Sequence, residues 1–167
     1  MHNVSKIISG AQTGADTAGL RAARSLGIRT GGTMAAYHTQ SVGPGRSITN
    51  PALAEEYGPT EGSVTRVTRR HGTYPDVYVA RTLKNARDAD GTVWFGRTDS
   101  NGFKLTTSLK AQHHKPKPLI NPTPDQLLDW AVQHGIRTLN VSGNREWTNP
   151  GISRTTYDTI TQALGAR

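Results

Sequence analysis

The chain has 167 residues, a net charge of +8 and no cysteine. A chain of this length buries about 70% of its unfolded surface, so its core needs no disulfide or metal. The missing cysteines exclude disulfides, thiolate nucleophiles and Cys-ligated metals. The basic charge favours an anionic partner. Residues 1–9 are too short and polar for a signal peptide, and no apolar run approaches the roughly 20 residues of a membrane span. We therefore expect a cytoplasmic protein without a membrane segment.

Apolar periodicity and turn residues predict strands that alternate with helices. In the first part of the chain we predict a strand ending near Ile8, a helix over about 16–26 and a strand over 28–33. A long loop over 41–62 with one helical turn near 52–56 follows, then a short strand over 64–70 and a helix in the second half of 74–88. The rest of the chain is predicted to form a strand over 91–95, a helix over about 102–113, a strand over 118–121, a helix from Thr123 to Gly135, a strand over 138–141 and a helix over 153–164. The clearest helix start is Thr123, because Pro124 and Gln126 complete a capping box with proline at the first position. This alternation predicts an α/β fold, with a mostly parallel sheet and helices on both faces.

Ligands of such sheets bind outside the carboxyl ends of the strands, so the loops from strand to helix are the candidate sites. In the first loop the candidate residues are Gly10, Ala11, Gln12, Thr13, Gly14 and Asp16. Small residues allow a close backbone approach, and the helix N-terminus that follows attracts a phosphate. Asp16 would instead accept from ribose hydroxyls or an amino group. The alternative is that Asp16 is a plain N-cap and the glycines only make a tight turn.

The two other loops have the same character. After the strand over 91–95, the candidates are Thr98, Ser100, Asn101, Gly102 and Thr106, with a hydrophilic turn as the alternative. After the last strand, the candidates are Ser142, Gly143, Asn144, Arg145 and Glu146. Arg145 can pair with a phosphate through its fork of donors, and Glu146 can position Arg145 or bind a ribose. The alternative for this last loop is a surface ion pair in a turn.

Residues outside these loops add one charged patch. Arg66, Arg69, Arg70 and His71 form the densest positive run, which is either a solvated face or an anion-binding rim. The histidines lack the spacing of a metal motif, so we predict no metal site. Neither a GxSxG elbow nor a Walker A loop is present. The sequence therefore favours a protein without catalysis, although Glu146 is the glutamate best placed for acid–base chemistry.

The segment from Ile7 to Asp16 resembles the N-terminal signature of the molybdenum-cofactor-carrier family, a circularly permuted branch of the SLOG superfamily of Rossmann-like proteins. The resemblance continues at Leu26-Gly27-Ile28, Gly31-Gly32, Tyr78, Arg81-Thr82, Asn85, Asp88, Asp90, Asn101-Gly102, Leu105-Thr106, Lys117-Pro118, Asn140 to Glu146, and Pro150-Gly151-Ile152. The chain departs from the family at Ala11, where a second glycine is usual, at Thr17, where a basic residue is usual, and over 37–73.

The resemblance implies a single Rossmann-like, SLOG-like domain over 1–167, with a variable insertion at about 37–73, and a homo-oligomer (dimer or tetramer). It implies a nucleotide or nucleotide-like ligand and adds Arg81 and Asn85 as residues that support the site. Our leading hypothesis is a carrier, sensor or sequestering protein for a phosphate-bearing ligand, either a signal derived from ADP-ribose or NAD or a molybdopterin-type cofactor. One alternative is a nucleotide hydrolase or N-glycosidase with Asp16 or Glu146 as the base. Another, less favoured, is a nucleic-acid-binding protein, which the net charge of +8 and the patch at Arg66 to His71 suggest.

Overall fold

The computed structural model describes residues 1–165, apart from the side chains of Arg69 and Tyr74. The strands are β1 (Lys6–Ile8), β2 (Arg29–Gly31), β3 (Thr33–Met34), β4 (Thr39–Gly43), β5 (Arg46–Thr49), β6 (Thr60–Glu61), β7 (Thr65–Arg69), β8 (Gly72–Asp76), β9 (Gly91–Phe95), β10 (Leu119–Ile120) and β11 (Thr138–Gly143). The helices are α1 (Ala15–Ser25), α2 (Ala52–Tyr57), α3 (Val79–Asp88), α4 (Asn101–Thr106), α5 (Pro124–Gln133) and α6 (Ile152–Gly165). None of these helices combines the length and the apolar character that a membrane span requires.

A five-stranded parallel sheet forms the centre of the described fold. Its order is β10-β9-β11-β1-β2. Viewed from the other edge, this is the order 3-2-1-4-5 of a doubly wound sheet, in which β11 occupies the first position and β1 the second. The chain thus begins at the second strand of the standard order and supplies the first strand last. The crevice where the order reverses lies between β11 and β9.

The two faces of this sheet differ in polarity because side chains alternate along each strand. One face presents Ile7, Val93, Phe95, Leu139 and Val141, which pack with α1, α5 and α6 in the main hydrophobic core. The opposite face carries α3 and α4 with a smaller apolar cluster at Leu83, Ala86 and Ala111. The prediction of an α/β fold with a mostly parallel sheet and helices on both faces is therefore confirmed.

The polar face comes from the residues between the apolar ones. Asn140 and Ser142 of β11 lie beside Thr92 and Trp94 of β9 in the register of the sheet. All four are buried. A buried surface of this kind is unusual in a pure packing core, and it forms the floor of the cavity described below.

The segment between β2 and α3 leaves the main sheet at Gly32. Its positive φ of 118° breaks the predicted strand over 28–33 into β2 and β3. The prediction of a long loop over 41–62 is wrong, because β4 and β5 pair as an antiparallel hairpin and β6 pairs with β3. Gly43, Pro44 and Gly45 make the tight turn of that hairpin, so these turn residues join two strands and do not mark a loop. The helical turn near 52–56 is confirmed as α2.

The predicted helix over about 102–113 ends at Thr106. Hydroxyl side chains near its end bond to the backbone: Thr107 Oγ1 donates to the Phe103 carbonyl at 2.8 Å and Ser108 Oγ to the Leu105 carbonyl at 2.7 Å. Such local bonds compete with helix continuation. The capping box at Thr123 is present as predicted, with both reciprocal hydrogen bonds formed.

Candidate functional site

A cavity of about 740 Å³ opens at the carboxyl edge of the sheet, over the crevice between β11 and β9. Its size lies within the range typical of ligand pockets. Its walls come from the loops after β1, β9 and β11 and from α3, because these are the segments that follow the carboxyl ends of the central strands or cover their polar face.

Asp16 and Arg81 form a buried ion pair in the wall of the cavity. Arg81 Nη1 donates to Asp16 Oδ2 at 3.1 Å, and the same oxygen accepts the backbone N–H of Gln12 at 3.2 Å. Burial raises the pKa of Asp16, and the charge of Arg81 limits that rise. Burial likewise lowers the pKa of Arg81, against the attraction of Asp16. The pair therefore fixes one positive and one negative charge against each other beneath the loop after β1.

A second arginine lies beside the first without a carboxylate of its own. The guanidinium carbon of Arg145 lies 5.0 Å from the centre of the Tyr78 ring, and that of Arg81 lies 5.8 Å from the same ring. The buried Nε atoms of both arginines have no hydrogen-bond partner. In the described part of the chain Arg145 forms no ion pair. An unpartnered buried donor calls for an acceptor such as water or a ligand oxygen.

The cavity floor is built from hydrogen-bonded side chains. Asn140 Nδ2 donates to Thr92 Oγ1 at 3.2 Å, and Ser142 Oγ donates to the Val93 carbonyl at 3.4 Å. Asn140 and Ser142 both line the cavity. Their positions on the central strand are rigid, so they offer fixed polar groups to whatever enters.

The side-chain amide of Asn85 hydrogen-bonds to the backbone of Thr33, as the backbone of a paired strand would. Its Oδ1 accepts the N–H of Thr33 at 2.8 Å, and its Nδ2 donates to the carbonyl of Thr33 at 2.9 Å. This buried amide holds the chain where it leaves the main sheet, and its side chain also borders the cavity. Asn85 therefore supports the site by fixing α3 against β3.

The loop after β1 is attached to the β4–β5 hairpin. Gln12 Nε2 donates to the Thr39 carbonyl at 2.8 Å, Gln12 Oε1 accepts the N–H of Ser41 at 3.0 Å, and Thr13 Oγ1 donates to the Ser41 carbonyl at 3.3 Å. Gln12 and Thr13 thus bind their own chain and lie outside the cavity lining. Ala11 is fully buried and has a positive φ of 53°.

The side chains of the loop after β11 have two different roles. Arg145 faces the cavity, whereas the carboxylate of Glu146 caps α6: Oε1 accepts from Gly151 N at 2.7 Å and Oε2 from Ser153 N at 2.9 Å. Partial burial works to raise the pKa of Glu146, but hydrogen bonds from Ser153 and Gly151 lower it overall. Glu146 therefore neither positions Arg145 nor points at the cavity.

The loop after β9 is closed by side-chain bonds to its neighbours. Asn144 Oδ1 accepts the N–H of Arg97 at 2.6 Å, and Ser100 Oγ caps α4 by accepting from Phe103 N at 3.1 Å. Arg97 and Asp99 form an exposed ion pair of 2.7 Å at the rim. Thr98 is exposed and does not line the cavity.

The structure thus brings most of the predicted residues to one cavity. Those that line it are Gly10, Asp16, Arg81, Asn85, Ser100, Asn101, Gly102, Thr106, Ser142, Gly143, Asn144 and Arg145. Those outside the lining are Ala11, Gln12, Thr13, Gly14, Thr98 and Glu146. Sequence reasoning missed Tyr78, Trp94 and Asn140 as lining residues, although Tyr78 and Asn140 lie within the segments that carried the family resemblance. Asn140 is a polar residue between Leu139 and Val141 in a strand that the sequence predicts to be buried, and this exception to an apolar run indicates a site residue.

The positive run at Arg66, Arg70 and His71 lies on the β7–β8 hairpin, and the side chain of Arg69 falls outside the described residues. Among the described residues, no three His, Asp or Glu side chains come close enough to hold a metal ion. The absence of a metal site stays a prediction.

Comparison with known proteins gives two similarities. A model of the circularly permutated YpsA SLOG family matches residues 7–164. Among solved structures, the chain is similar to the protein from Syntrophus aciditrophicus SB named "Putative molybdenum carrier protein", with 29% sequence identity and a TM-score of 0.73. That similarity covers 98% of this chain and 96% of the other. A comparison with curated proteins finds no match. The family resemblance in the sequence is thereby confirmed.

Proposed function

Since the chain belongs to the circularly permutated YpsA SLOG family, we propose that its cavity binds a phosphate-bearing small molecule and holds it without chemical change. Family membership and the likeness to a protein named as a molybdenum carrier support a ligand-binding or carrier role in general. The finer statement, that the ligand is a nucleotide or a nucleotide-like cofactor, rests on the charges and polar groups of the cavity.

The observation that carries the proposal is the pair of arginines over Tyr78. Asp16 forms an ion pair with Arg81, whereas Arg145 forms no ion pair among the described residues. Both Nε donors are buried and unbonded. A phosphate oxygen satisfies such donors and the excess charge at once, because guanidinium groups match the geometry of phosphate.

The rest of the ligand would lie over the polar floor. Asn140 and Ser142 would bond a heterocycle or ribose at this floor. An ADP-ribose-like or NAD-derived nucleotide and a molybdopterin-type cofactor both combine a phosphate with a polar ring system. The residues present fit the anionic end of either group. Arg145 and Arg81 would hold the phosphate of a molybdopterin-type cofactor, whose pterin dithiolene would supply the metal-binding chemistry.

A hydrolase on the same ligand gains no support from the geometry. A general base must lie within hydrogen-bond reach of the proton that it removes. Asp16 Oδ2 accepts from both Arg81 and Gln12, which ties this carboxylate into an ion pair. The two oxygens of Glu146 accept from Gly151 and Ser153 at the start of α6, outside the cavity lining. We therefore keep holding, and not turnover, as the proposed role.

The test begins with native mass spectrometry of the purified protein and of any molecule released on denaturation. Titrations with ADP-ribose, AMP and inorganic phosphate then measure affinity through thermal stabilisation, which grows with ligand excess over Kd. The variant Arg145→Ala should weaken affinity about 10–100-fold, which corresponds to one lost charge-assisted hydrogen bond. The control Arg154→Ala removes the same charge from a residue whose side chain is 89% exposed on α6, and it should bind normally.

Equal affinity in wild type and Arg145→Ala would contradict the assigned role of Arg145. Equal losses in both variants would indicate a response to net charge and not to the cavity. Release of a base or of phosphate from ADP-ribose by excess protein would replace the carrier by an enzyme.

A further inference from the structure

The β7–β8 hairpin stands apart from the hydrophobic cores. None of its described side chains belongs to any of the three buried clusters, and Arg66, Thr68, Thr73 and Pro75 are exposed. A two-stranded hairpin is marginally stable by itself in water and usually needs a covering surface. This hairpin, which we call the arm (residues 65–76), is therefore a candidate for contact with a partner.

One face of the arm is basic and rich in hydroxyl groups. Arg66 and Thr68 are two residues apart in β7, so their side chains point to the same side. Thr68 Oγ1 lies 3.0 Å from Thr73 Oγ1 across the hairpin, and Arg66 faces Pro75 in the register. This face therefore presents one guanidinium and two hydroxyl groups that can donate hydrogen bonds to phosphate oxygens.

The arm contains more basic than acidic residues. Its sequence contains Arg66, Arg69 and Arg70 and a single acidic residue, Asp76. Asp76 Oδ1 accepts the N–H groups of Tyr78 and Val79 at 2.7 and 2.8 Å, so its carboxylate caps α3 at the base of the arm. Arg70, near the tip of the arm, is exposed.

From these features we propose that the arm binds the phosphate backbone of a nucleic-acid duplex, at a site separate from the cavity. A two-stranded ribbon fits the major groove of B-DNA, which is about 12 Å wide. Phosphate contacts from arginine and hydroxyl side chains supply affinity independent of sequence. A second copy of this chain is the less suitable occupant, because each copy carries a net charge of +8 and two such surfaces repel.

The experiment measures fluorescence anisotropy of a labelled 20-base-pair DNA duplex of arbitrary sequence, titrated with the full chain at several salt concentrations. Wild type should bind, with an affinity that falls as salt rises. The double variant Arg66→Ser/Arg70→Ser should raise Kd about tenfold or more and should reduce the slope of log K against log salt by about 1.8, since each lost phosphate contact removes about 0.9.

The matched control is Arg137→Ser/Arg154→Ser, which removes the same charge from exposed residues away from the arm. It should change Kd by less than about twofold, as expected for a non-specific charge effect screened by salt. Because all four arginines are exposed, both variants should melt like wild type. The single variant Arg145→Ala should bind the duplex normally, because Arg145 lies in the cavity and not on the arm. This variant therefore tests the arm separately from the cavity. The proposal for the arm would hold even if the cavity bound no phosphate ligand.

Four results would overturn the proposal. Wild type could fail to bind the duplex, or the arm and control variants could lose affinity equally. Arg145→Ala could abolish binding while the arm variant retains it, which would move the site to the cavity. Finally, sedimentation could show that the arm variant dissociates an oligomer without any change in duplex affinity, which would make the arm a contact between copies of the chain.

Discussion

Gly14 allows the loops after β1 and β11 to touch. Its φ of 85° is a conformation that residues with a side chain rarely adopt, and a Cβ there would collide with the carbonyl oxygen of Asn144 and the N–H of Glu146. Both obstacles are backbone atoms, which cannot rotate away. Arg145 lies between these two residues, so the position of its side chain depends on the absence of a side chain at Gly14.

The variant Gly14→Ala should therefore destabilise the fold by about 3 kcal/mol or more, because Gly14 has a φ of 85° and a ψ of -129°, a combination that suits only glycine, and because the added Cβ overpacks the loop. Gly27→Ala is the matched control, since Gly27 has a similar φ of 71° but open space around its Cβ position. It should lose only about 1–2 kcal/mol from strain. Urea unfolding of both variants measures the difference, and equal losses would mean that the contact between the loops contributes nothing.

At the scale of elements, the carboxylate of Glu146 caps the N-terminus of α6. The helix starts at Ile152, and Glu146 accepts the free N–H groups of Gly151 and Ser153 just before and inside it. A negative charge at this end also complements the helix dipole. The loop after β11 is thus held at two points, by Glu146 on α6 and by Asn144 on the loop after β9.

This cap makes part of the stability dependent on pH. The pKa of Glu146 is lowered in the folded chain, so its contribution is complete above the ordinary glutamate pKa and disappears as pH falls through the lowered value. Glu146→Gln should melt below wild type at pH 7, by an amount equivalent to about 1 kcal/mol, and the gap should close as the pH falls through the lowered pKa of Glu146. Thermal melts across this range test it, with the exposed Glu55→Gln as control. A gap that stays constant with pH would rule out the charge as the cause.

Sequence patterns predict the elements of the main sheet. Between β2 and α3 they predict α2 and β7 but miss the strands β4, β5, β6 and β8. The strand over 91–95 and the helix from Thr123 have dense apolar or capping signals, and both appear in the structure. The β4–β5 hairpin has no apolar alternation, and its strand β4 is held by polar contacts with Gln12 and Thr13. Long-range bonds of this kind leave no periodic trace in the sequence.

The same limit applies to the cavity. Loops that follow a predicted strand and precede a predicted helix are candidate sites in a parallel sheet, which is why Asp16, Ser142 and Arg145 were predicted. The cation–π contact of Arg145 with Tyr78 joins residues from distant parts of the chain and was not foreseen. Glu146 has the composition of a ligand residue but caps a helix, and only the three-dimensional arrangement separates the two roles.

At the scale of the whole molecule, the sheet has the standard doubly wound order with a shifted starting point. β11 occupies the central first position, although it is the last strand of the described chain. The two ends of the described fold meet, since His2 Nε2 lies 2.9 Å from the carbonyl oxygen of Leu164. A short linker could therefore join these two ends without moving any element.

A rearranged chain should consequently reach the same fold. Joining the two ends with a short Gly/Ser linker and opening the chain before Gly135, in the turn after α5, places β11 first and breaks no strand. We expect the same circular dichroism spectrum and a melting temperature within a few degrees of wild type. The control opens the chain inside β9, between Val93 and Trp94, and should not fold. Loss of cooperative unfolding in the first chain would mean that the native order of elements is required.

The position of β11 also has a consequence during translation. β1 with β2 and β9 with β10 leave the ribosome as two separate pairs, and the facing edges of β1 and β9 remain open until β11 arrives between them. Open strand edges of a nascent chain invite wrong pairing and aggregation. We expect nascent chains of this protein to acquire a closed sheet and a binding cavity together, in one late step after the final strand has been synthesised, and to need protection by chaperones until then.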